Sequence, residues 1–365
     1  MREILDDLER WRTQGRRVAL ARVVDVEGSG PRLPGAAMAV NEVGEVVGSV
    51  SGGCVEGAVV TEALDLLESG DGGRLVTFGY SDDDAFAVGL TCGGTIHLFL
   101  EPLDWWHLFE PLAGAIREHR PVALVTVVAG PDRAGAKLLV TPDASLQGSL
   151  GDEDLDRVSA RDAEAELDAG RSGVRHYGPE GDRHVFIESF AAPPRMFIFG
   201  AVDFTAALVR VAKVLGYHVT VCDAREMFAT TRRFPLADEV VVDWPHRLLT
   251  RVTPPLGTRD AVCVLTHDHK FDVPAIVEAL ATGVGYIGAM GSRRTHAERV
   301  ERLTTEGVDA RGLARVHGPI GLDIGARSPE ETAISICAEI IATRVGHTGR
   351  TAPPLRATDG PIHAR

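Results

Sequence analysis

The chain has 365 residues, and 52 acidic against 38 basic side chains give it a formal net charge of -14 at pH 7. A field of that sign repels nucleic acid and anionic membrane surfaces, so we expect neither as a partner. Five cysteines in unrelated contexts argue against a disulfide framework, and the sequence has no apolar run of membrane-spanning length. The length predicts two domains, and these features together predict a cytoplasmic protein.

The first half of the sequence predicts a mixed α+β domain over residues 1–190. Its hydrophobic periodicity predicts helices near 2–13, 54–68, 105–118 and 152–167, and strands at 18–26, 37–41, 74–78, 96–100, 122–128, 137–140 and 185–188. No internal repeat is evident from this pattern. Adjacent prolines, Pro193 and Pro194, forbid both helix continuation and strand pairing, so we place the domain boundary there.

After the prolines the pattern changes to strict alternation of strand and helix. Strands are predicted at 196–199, 218–222, 239–242, 261–265 and 284–288, with a helix from 204 to 215 and a long last helix over 329–344. This order predicts an α/β fold with a parallel, Rossmann-like sheet over residues 195–345. The segment 346–365, rich in Thr, Pro, Ala and Gly, is predicted to be disordered.

Two cysteines stand beside glycine pairs. Cys54 follows Gly52 and Gly53 and opens a helical pattern, so we expect it at a helix N-terminus, where amide groups and the helix dipole favour a thiolate. Cys92 precedes Gly93 and Gly94 and then a strand-like run. These six residues are predicted to form a ligand site in which the two thiols contact a soft metal or sulfur.

A buried structural role is the alternative for each thiol, because cysteine is among the most buried residue types. Glu56, in the first turn of the predicted helix, is expected to complement the helix N-terminus and not to act as a base. The remaining cysteines lie in apolar runs and are predicted to be core residues: Cys222, Cys263 and Cys337.

The turn after the first Rossmann-like strand carries half of a dinucleotide-binding pattern. Gly200 ends that strand, and Asp223 ends the next at about the spacing of a ribose-binding carboxylate. Val202 replaces the glycine that lets a backbone approach a diphosphate, and Asp203 adds a negative charge where a phosphate needs a positive one. The pattern therefore favours a Rossmann-like fold more strongly than it favours binding of NAD(P).

Further loops follow later strands, where open α/β sheets bind ligands. Ser292 is predicted to cap a helix whose first turn carries Arg293 and Arg294, which form either an anion receptor or a solvated helix face. The triplet at 267–269 is predicted to cap its loop, because adjacent residues rarely converge on one metal ion.

Taken together, motifs in both halves resemble those of the XdhC/CoxI family of molybdenum cofactor maturation proteins. In the first half these are Gly28 to Arg32, Gly48 to Glu56 and Gly89 to Gly94; in the second they are Leu265 to Asp272, Tyr286 to Arg294 and Pro319 to Ala326. The resemblance implies that Cys54 and Cys92 contact the cofactor, and that the loops at 200–203, 266–268 and 288–294 are ligand surfaces. The family's usual Gly-Ala-Gly-His turn reads Gly200-Ala201-Val202-Asp203 here.

The resemblance also implies a function. It is that of a non-catalytic chaperone that binds molybdenum cofactor and assists its sulfuration and its insertion into a xanthine dehydrogenase-like or CO dehydrogenase-like molybdenum hydroxylase. The client hydroxylase and a cysteine desulfurase are the expected partners. A homodimer is expected separately, because most soluble oligomers are homodimers, and no motif indicates it. The alternative is an NAD(P)-dependent oxidoreductase that uses the Rossmann-like half.

Overall fold

The computed structural model describes residues 1–28, 30, 32–79, 94–131, 133–143 and 145–344. The chain divides into two compact units between Ala192 and Pro193. The tail predicted to be disordered lies outside the described residues. In the described ranges, no helix is both long and apolar enough to cross a membrane.

The first unit contains two antiparallel sheets. After a 3-10 turn at Arg2–Ile4, its helices are α1 (Leu5–Thr13), α2 (Glu56–Ser69), α3 (Trp106–Arg117) and α4 (Glu153–Ala169). Its strands are β1 (Val18–Glu27), β2 (Ala37–Asn41), β3 (Val46–Gly48), β4 (Arg74–Phe78), β5 (Thr95–Pro102), β6 (Val122–Ala129), β7 (Lys137–Val140), β8 (Leu146–Ser149), β9 (Gly173–Tyr177) and β10 (Arg183–Phe190). The predicted helices and strands of this half are present, whereas β3, β8 and β9 were not predicted as strands.

The two sheets have the same topology. As far as the chain is described, one has the order β3-β2-β1-β5-β4 and the other β8-β7-β6-β10-β9. Each half of the unit therefore runs through one helix, three strands, a second helix and two strands. The expectation of no internal repeat is wrong: the first unit is built from two copies of one motif.

Strand register fixes which residues of the two copies correspond. Arg22 of β1 pairs with Ala37 on one side and Phe99 on the other, and Thr126 of β6 pairs in the same way with Lys137 and Phe186. By the same rule Leu20 opposite Glu101 corresponds to Leu124 opposite Glu188. Ala37 thus corresponds to Lys137, and Glu101 to Glu188.

Gly48 of β3 and Gly148 of β8 have the same backbone conformation in the two copies. Gly48 has φ +79° and Gly148 has φ +90°. A Cβ added to Gly48 would lie 2.3 Å from the Ala37 carbonyl oxygen, and one added to Gly148 would lie 2.4 Å from that of Lys137. Both positions need glycine, since φ is positive and a side chain there would collide with the neighbouring strand.

A buried charge network joins the two sheets. The Arg22 guanidinium, fully buried on β1, donates to Glu101 at 2.7 Å and to Glu188 at 3.1 Å. Lys137 donates to the other oxygen of Glu101 at 2.5 Å. Burial lowers the pKa of Lys137 to about 8, and the charge of Glu101 opposes that fall. Corresponding carboxylates of the two copies therefore share one arginine.

Replacing this arginine should destabilise the first unit strongly. In Arg22→Met, two buried carboxylates lose their common partner, and we expect a loss of about 3–5 kcal/mol in the free energy of unfolding. Urea denaturation of the full chain measures it. As a control, Arg120→Met removes an exposed pair with Glu118 and should cost under about 1 kcal/mol. Equal losses for the two variants would contradict this account of the network.

The second unit is a parallel sheet covered by helices. Its strands are β11 (Arg195–Phe199), β12 (His218–Cys222), β13 (Glu239–Val241), β14 (Ala261–Val264), β15 (Tyr286–Ala289) and β16 (Val316–His317). Its helices are α5 (Asp203–Val214), α6 (Pro245–Leu249), α7 (His269–Leu280), α8 (Arg293–Thr305), α9 (Ala310–Ala314) and α10 (Pro329–Arg344).

The strand order of this sheet is β13-β12-β11-β14-β15-β16, with each of these pairings parallel. This is the doubly wound Rossmann order, so the predicted α/β fold class is confirmed. The order reverses between β11 and β14, and ligands of such sheets bind at that crevice. The predicted core cysteines are buried in this unit: Cys222, Cys263 and Cys337.

Candidate functional site

The first candidate site is the turn that carries Cys54. This residue lies two positions before Glu56, the first residue of α2, so its predicted place near a helix N-terminus is confirmed. Its side chain is half-buried against the core between α2 and the first sheet. Gly52 and Gly53 are exposed, with φ +77° and +118°, and an added Cβ on either would meet no atom within 4 Å. Their backbone is therefore open to an approaching ligand.

The Glu56 carboxylate organises this turn. One oxygen accepts from the Ser49 hydroxyl at 2.7 Å and from the Ser51 amide at 2.9 Å. The other accepts from the Ser51 hydroxyl at 2.5 Å and from the Gly53 amide at 2.9 Å. The Cys54 amide donates to the Ser51 hydroxyl at 2.9 Å. Glu56 and Ser51 therefore bind the amides of this turn. This differs from the role predicted for Glu56, which was to complement the N-terminus of α2, because the amides that Glu56 binds precede the helix.

These contacts change the acidity of Glu56. Burial by itself raises the pKa of this carboxyl, but hydrogen bonds from Ser51 and Ser49 outweigh burial and lower the pKa to about 2. The carboxylate is therefore charged at neutral pH and holds the turn in one conformation.

The second copy contains the same frame with a different turn. Ser149 donates to Asp156 at 2.7 Å, seven residues ahead, just as Ser49 donates to Glu56. In the second copy Asp152 caps α4, which begins at Glu153 and so starts earlier than α2 relative to this frame. Positions 52–54, Gly-Gly-Cys, thus correspond to 152–154, Asp-Glu-Asp. The first copy therefore has a neutral turn that bears a thiol where the second has an acidic helical turn.

The second predicted thiol cannot be compared with the first. Cys92 and Gly93 lie outside the described residues. Gly94 is described, and it is buried immediately before β5, which confirms that a strand follows this motif. The predicted convergence of Cys54 and Cys92 stays a prediction.

The second candidate site is a cleft of about 530 Å³ at the crevice of the Rossmann-like unit. Gly200, with φ +113°, lies so close to β14 that a Cβ there would be 2.8 Å from the Thr266 side chain. Asp223 accepts from the Ala201 amide at 2.8 Å and from the Arg225 guanidinium at 2.7 Å. Burial would raise the pKa of Asp223, but the hydrogen bonds from Arg225 and Ala201 lower it. The position expected to bind a ribose is therefore occupied by the protein's own groups.

The turn itself is poorly suited to a diphosphate. Asp203 is the first residue of α5, and its side chain is 92% exposed at the place where a phosphate would bind. Val202, with extended backbone, caps the helix without a side-chain hydrogen bond. Arg233 lies 3.6 Å from the Asp203 carboxylate and also donates to the Ala201 carbonyl. The negative charge and the missing glycine disfavour a dinucleotide here.

The arginine-bearing loop behaves as a solvated helix face. Ser292 caps α8 by accepting from the Thr295 amide at 3.1 Å, which confirms the predicted cap. Arg294 pairs with Glu298 on the same helix, with its side chain 88% exposed, and Arg293 is also exposed. The predicted anion receptor at this loop stays a prediction.

Sequence reasoning missed a buried polar triad behind that loop. Arg299 of α8 donates to Asp272 of α7 at 3.1 Å, and the Thr266 hydroxyl donates to the other oxygen of Asp272. All three residues are buried. Thr266 and Asp272 lie within the motif at 265–272, and Arg299 follows the motif at 286–294. The sequence feature that could have indicated the triad is the recurrence of charged residues beside apolar runs. The triad connects α7, α8 and the end of β14.

The 267–269 loop has the predicted capping role. Asp268 caps α7 by accepting from the Lys270 amide at 3.1 Å. Within the described ranges, no cluster of three or more His, Cys, Asp or Glu side chains is arranged to hold a metal ion. The two candidate sites are therefore a thiol-bearing turn and a Rossmann crevice.

Each half of this architecture, the tandem α+β unit and the Rossmann-like unit, matches a model of a known protein family. The model of the XdhC Rossmann domain matches residues 196–340, and the model of the XdhC and CoxI family matches residues 11–79 and 115–178, one segment in each copy of the repeat. The chain belongs to the XdhC and CoxI family.

Named relatives agree with this assignment. A probable xanthine dehydrogenase subunit from Bacillus subtilis is 29% identical over 89% of this chain and 92% of its own length. The molybdenum cofactor insertion chaperone PaoD from Escherichia coli is 26% identical over 91% of this chain and 85% of its own. A crystal structure described as a xanthine dehydrogenase from Bacillus halodurans superposes with a TM-score of 0.68 at 26% identity, covering 96% of this chain and 98% of that one.

Glu56→Gln tests the turn by its pH dependence. Because the folded pKa of Glu56 is depressed from 4.5 to about 2, its charge stabilises the fold above pH 4.5, and this stabilisation is lost as pH falls toward 2. We expect the variant to lose roughly 1–3 kcal/mol at pH 7 and to approach the wild type in stability as the pH falls through that window. Glu68→Gln, an exposed position on the same helix, is the control. A stability difference that does not change with pH would contradict this role.

Nicotinamide dinucleotides should not bind the Rossmann crevice. We expect NAD(H) and NADP(H) to leave the melting temperature of the full chain unchanged, because Asp203 repels the diphosphate and Asp223 is already engaged. Thermal melts over a range of ligand concentrations measure this. A rise that grows with ligand concentration, as linkage requires for binding, would revive the oxidoreductase alternative.

Proposed function

We propose that the chain is an accessory protein that binds molybdenum cofactor at the Cys54 turn and delivers it to a client molybdenum hydroxylase. Family membership supports an accessory role for molybdenum enzymes, and one relative is named as a molybdenum cofactor insertion chaperone. The cofactor is the cargo in this proposal. The chain itself needs no catalytic residue.

The contrast between the two copies of the repeat carries the proposal. Both copies keep the serine–carboxylate frame, but only the first presents an open Gly-Gly-Cys turn, whereas the second presents Asp-Glu-Asp. Molybdenum cofactor is an anionic pterin with a phosphate and a dithiolene-held soft metal. Three carboxylates repel such a ligand, while a thiol suits its metal and two glycines permit close approach.

The engaged amides limit what the turn contributes. Since Glu56 and Ser51 already accept from the amides of Ser51, Gly53 and Cys54, recognition of the cofactor rests on the thiol and on shape. Glu56 keeps the turn rigid, so a ligand binds without first ordering it. In this role Glu56 is a positioning residue.

Other consequences of the family resemblance stay predictions. These are sulfuration of the cofactor, sulfur transfer through Cys54 or Cys92, a cysteine desulfurase as partner, and a homodimer. The contribution of the crevice near Gly200 and Asp223 and of Ser292, Arg293 and Arg294 to cofactor binding is likewise a prediction.

The proposal is tested by binding of isolated cofactor. We expect stoichiometric binding to the wild type in equilibrium dialysis, with molybdenum and pterin both quantified. Cys54→Ser should weaken binding at least about tenfold, equivalent to about 1.4 kcal/mol, and Cys54→Asp, which introduces the acidic residue of the second copy, should weaken it further.

The control variant is Asp154→Ser, which makes the matched change in the second copy and should leave binding unchanged. Reconstitution of a cofactor-free molybdenum hydroxylase by the loaded protein then measures delivery. Absence of stoichiometric binding, or a Cys54→Ser variant that binds like the wild type, would contradict the proposal.

A further inference from the structure

The Lys137 site shows how a buried ammonium is held between the two copies of the repeat. The Glu101 carboxylate is shared: one oxygen accepts from Arg22 at 2.7 Å and the other from the Lys137 ammonium at 2.5 Å. The ammonium also donates to the Gly135 carbonyl at 2.9 Å. A carboxylate oxygen and a carbonyl oxygen thus bind two of its three N–H groups.

The position related to this one by the repeat has the same acceptors without the lysine. Glu188, which corresponds to Glu101, uses one oxygen for Arg22 at 3.1 Å. Its other oxygen, Oε1, is buried and has no hydrogen-bond partner among the described residues. Gly35 corresponds to Gly135. Their amides donate to the carbonyls of Val23 and Val127, which are equivalent positions of β1 and β6, and both glycines have positive φ, +94° and +86°. The position of Lys137 is taken by Ala37.

A pocket lies where the missing side chain would be. Glu188, Gly35 and Ala37 line a cleft of about 460 Å³ together with Met1. Glu188 is only 1% exposed, so its unpartnered oxygen carries the cost of burial without a donor. The amino nitrogen of Met1 donates to the Gly35 carbonyl at 3.3 Å, the contact that Lys137 makes with Gly135 in the second copy.

We propose that the pocket beside Glu188 is a receptor for a primary ammonium group. The acceptors are Glu188 Oε1 and the Gly35 carbonyl, and the Lys137 site shows the equivalent acceptors with an ammonium bound. Two sources carry the required chemistry: an α-amino group at residue 1 and a free amine, such as the side chain of a lysine from another molecule. The site is independent of the Cys54 turn and of the proposed function.

Supplying the lysine in place tests the receptor. In Ala37→Lys the new ammonium should pair with Glu188, so the full chain should melt roughly 2–4 °C or more above Ala37→Met, which adds similar bulk without charge. In a Glu188→Gln background the order should reverse, because the lysine is then buried without a carboxylate. Lys137→Met measures the cost of removing the ammonium in the second copy. Ala37→Lys melting at or below Ala37→Met with Glu188 intact would overturn the proposal.

A second measurement separates the two sources and does not depend on how well the Glu188 variant folds. Acetylation of the residue 1 amine, followed by mass spectrometry, should be at least about fivefold faster in Ala37→Lys than in Ala37→Met if that amine is the occupant. If a free amine is the occupant, methylamine should raise the melting temperature of the wild type but not of Ala37→Lys. Either result supports the receptor. The absence of both a labelling difference and a methylamine effect would overturn it.

Discussion

The buried guanidinium of Arg22 is the interaction on which the first unit depends. It binds two carboxylates, Glu101 and Glu188, that occupy the same position in the two copies of the repeat. Each sheet thereby contributes a charge that is too costly to bury alone. Apolar residues from both sheets pack around this network: Val24, Phe99, Val128 and Phe186. The ion network therefore follows from the duplication: the repeat places two carboxylates at equivalent positions, and one cation, Arg22, pairs with both.

Comparison of the two copies distinguishes residues that both copies share from residues that differ between them. The features kept in both copies belong to the shared fold, such as the positive-φ glycines Gly48 and Gly148 and the serine–carboxylate frame that follows them. Features that differ between the copies are those to which we assign separate roles in the proposals above. The clearest difference is the neutral turn that ends at Cys54. A second difference is that Ala37 stands at the position equivalent to Lys137, so Glu188 Oε1 has no ammonium partner among the described residues.

Local patterns of sequence predicted most of the fold. Apolar alternation and proline breaks are short-range signals, so most helices and strands were predictable, as was the Rossmann-like sheet. The strands that were not predicted are the short or exposed ones: β3, β8, β9 and β16. The repeat was not, because corresponding residues differ in chemistry: Arg22 matches Thr126, and Cys54 matches Asp154. The equivalence lies in strand register, which appears only when strands pair. The contact between Arg22 and Glu188 spans 166 residues, and no local pattern predicts it.

For the candidate site, glycine context identified the Cys54 turn, and a helix does begin just after it. The sequence did not indicate that Glu56 would bind the amides of that turn, because several nearby polar groups compete for the same donors. The departure at Val202 and Asp203 did indicate an unsuitable diphosphate site, since charge at a helix N-terminus is a local property.

The central claim is that the first copy of the repeat, and not the second, receives the cofactor. Hydrogen–deuterium exchange of the full chain with and without bound molybdenum cofactor tests it directly, because residues 51–55 and 151–155 report on the two matched turns in one experiment. The account predicts slower exchange over 51–55 and no change over 151–155. Equal protection of both turns, or protection confined to the Rossmann unit, would contradict it.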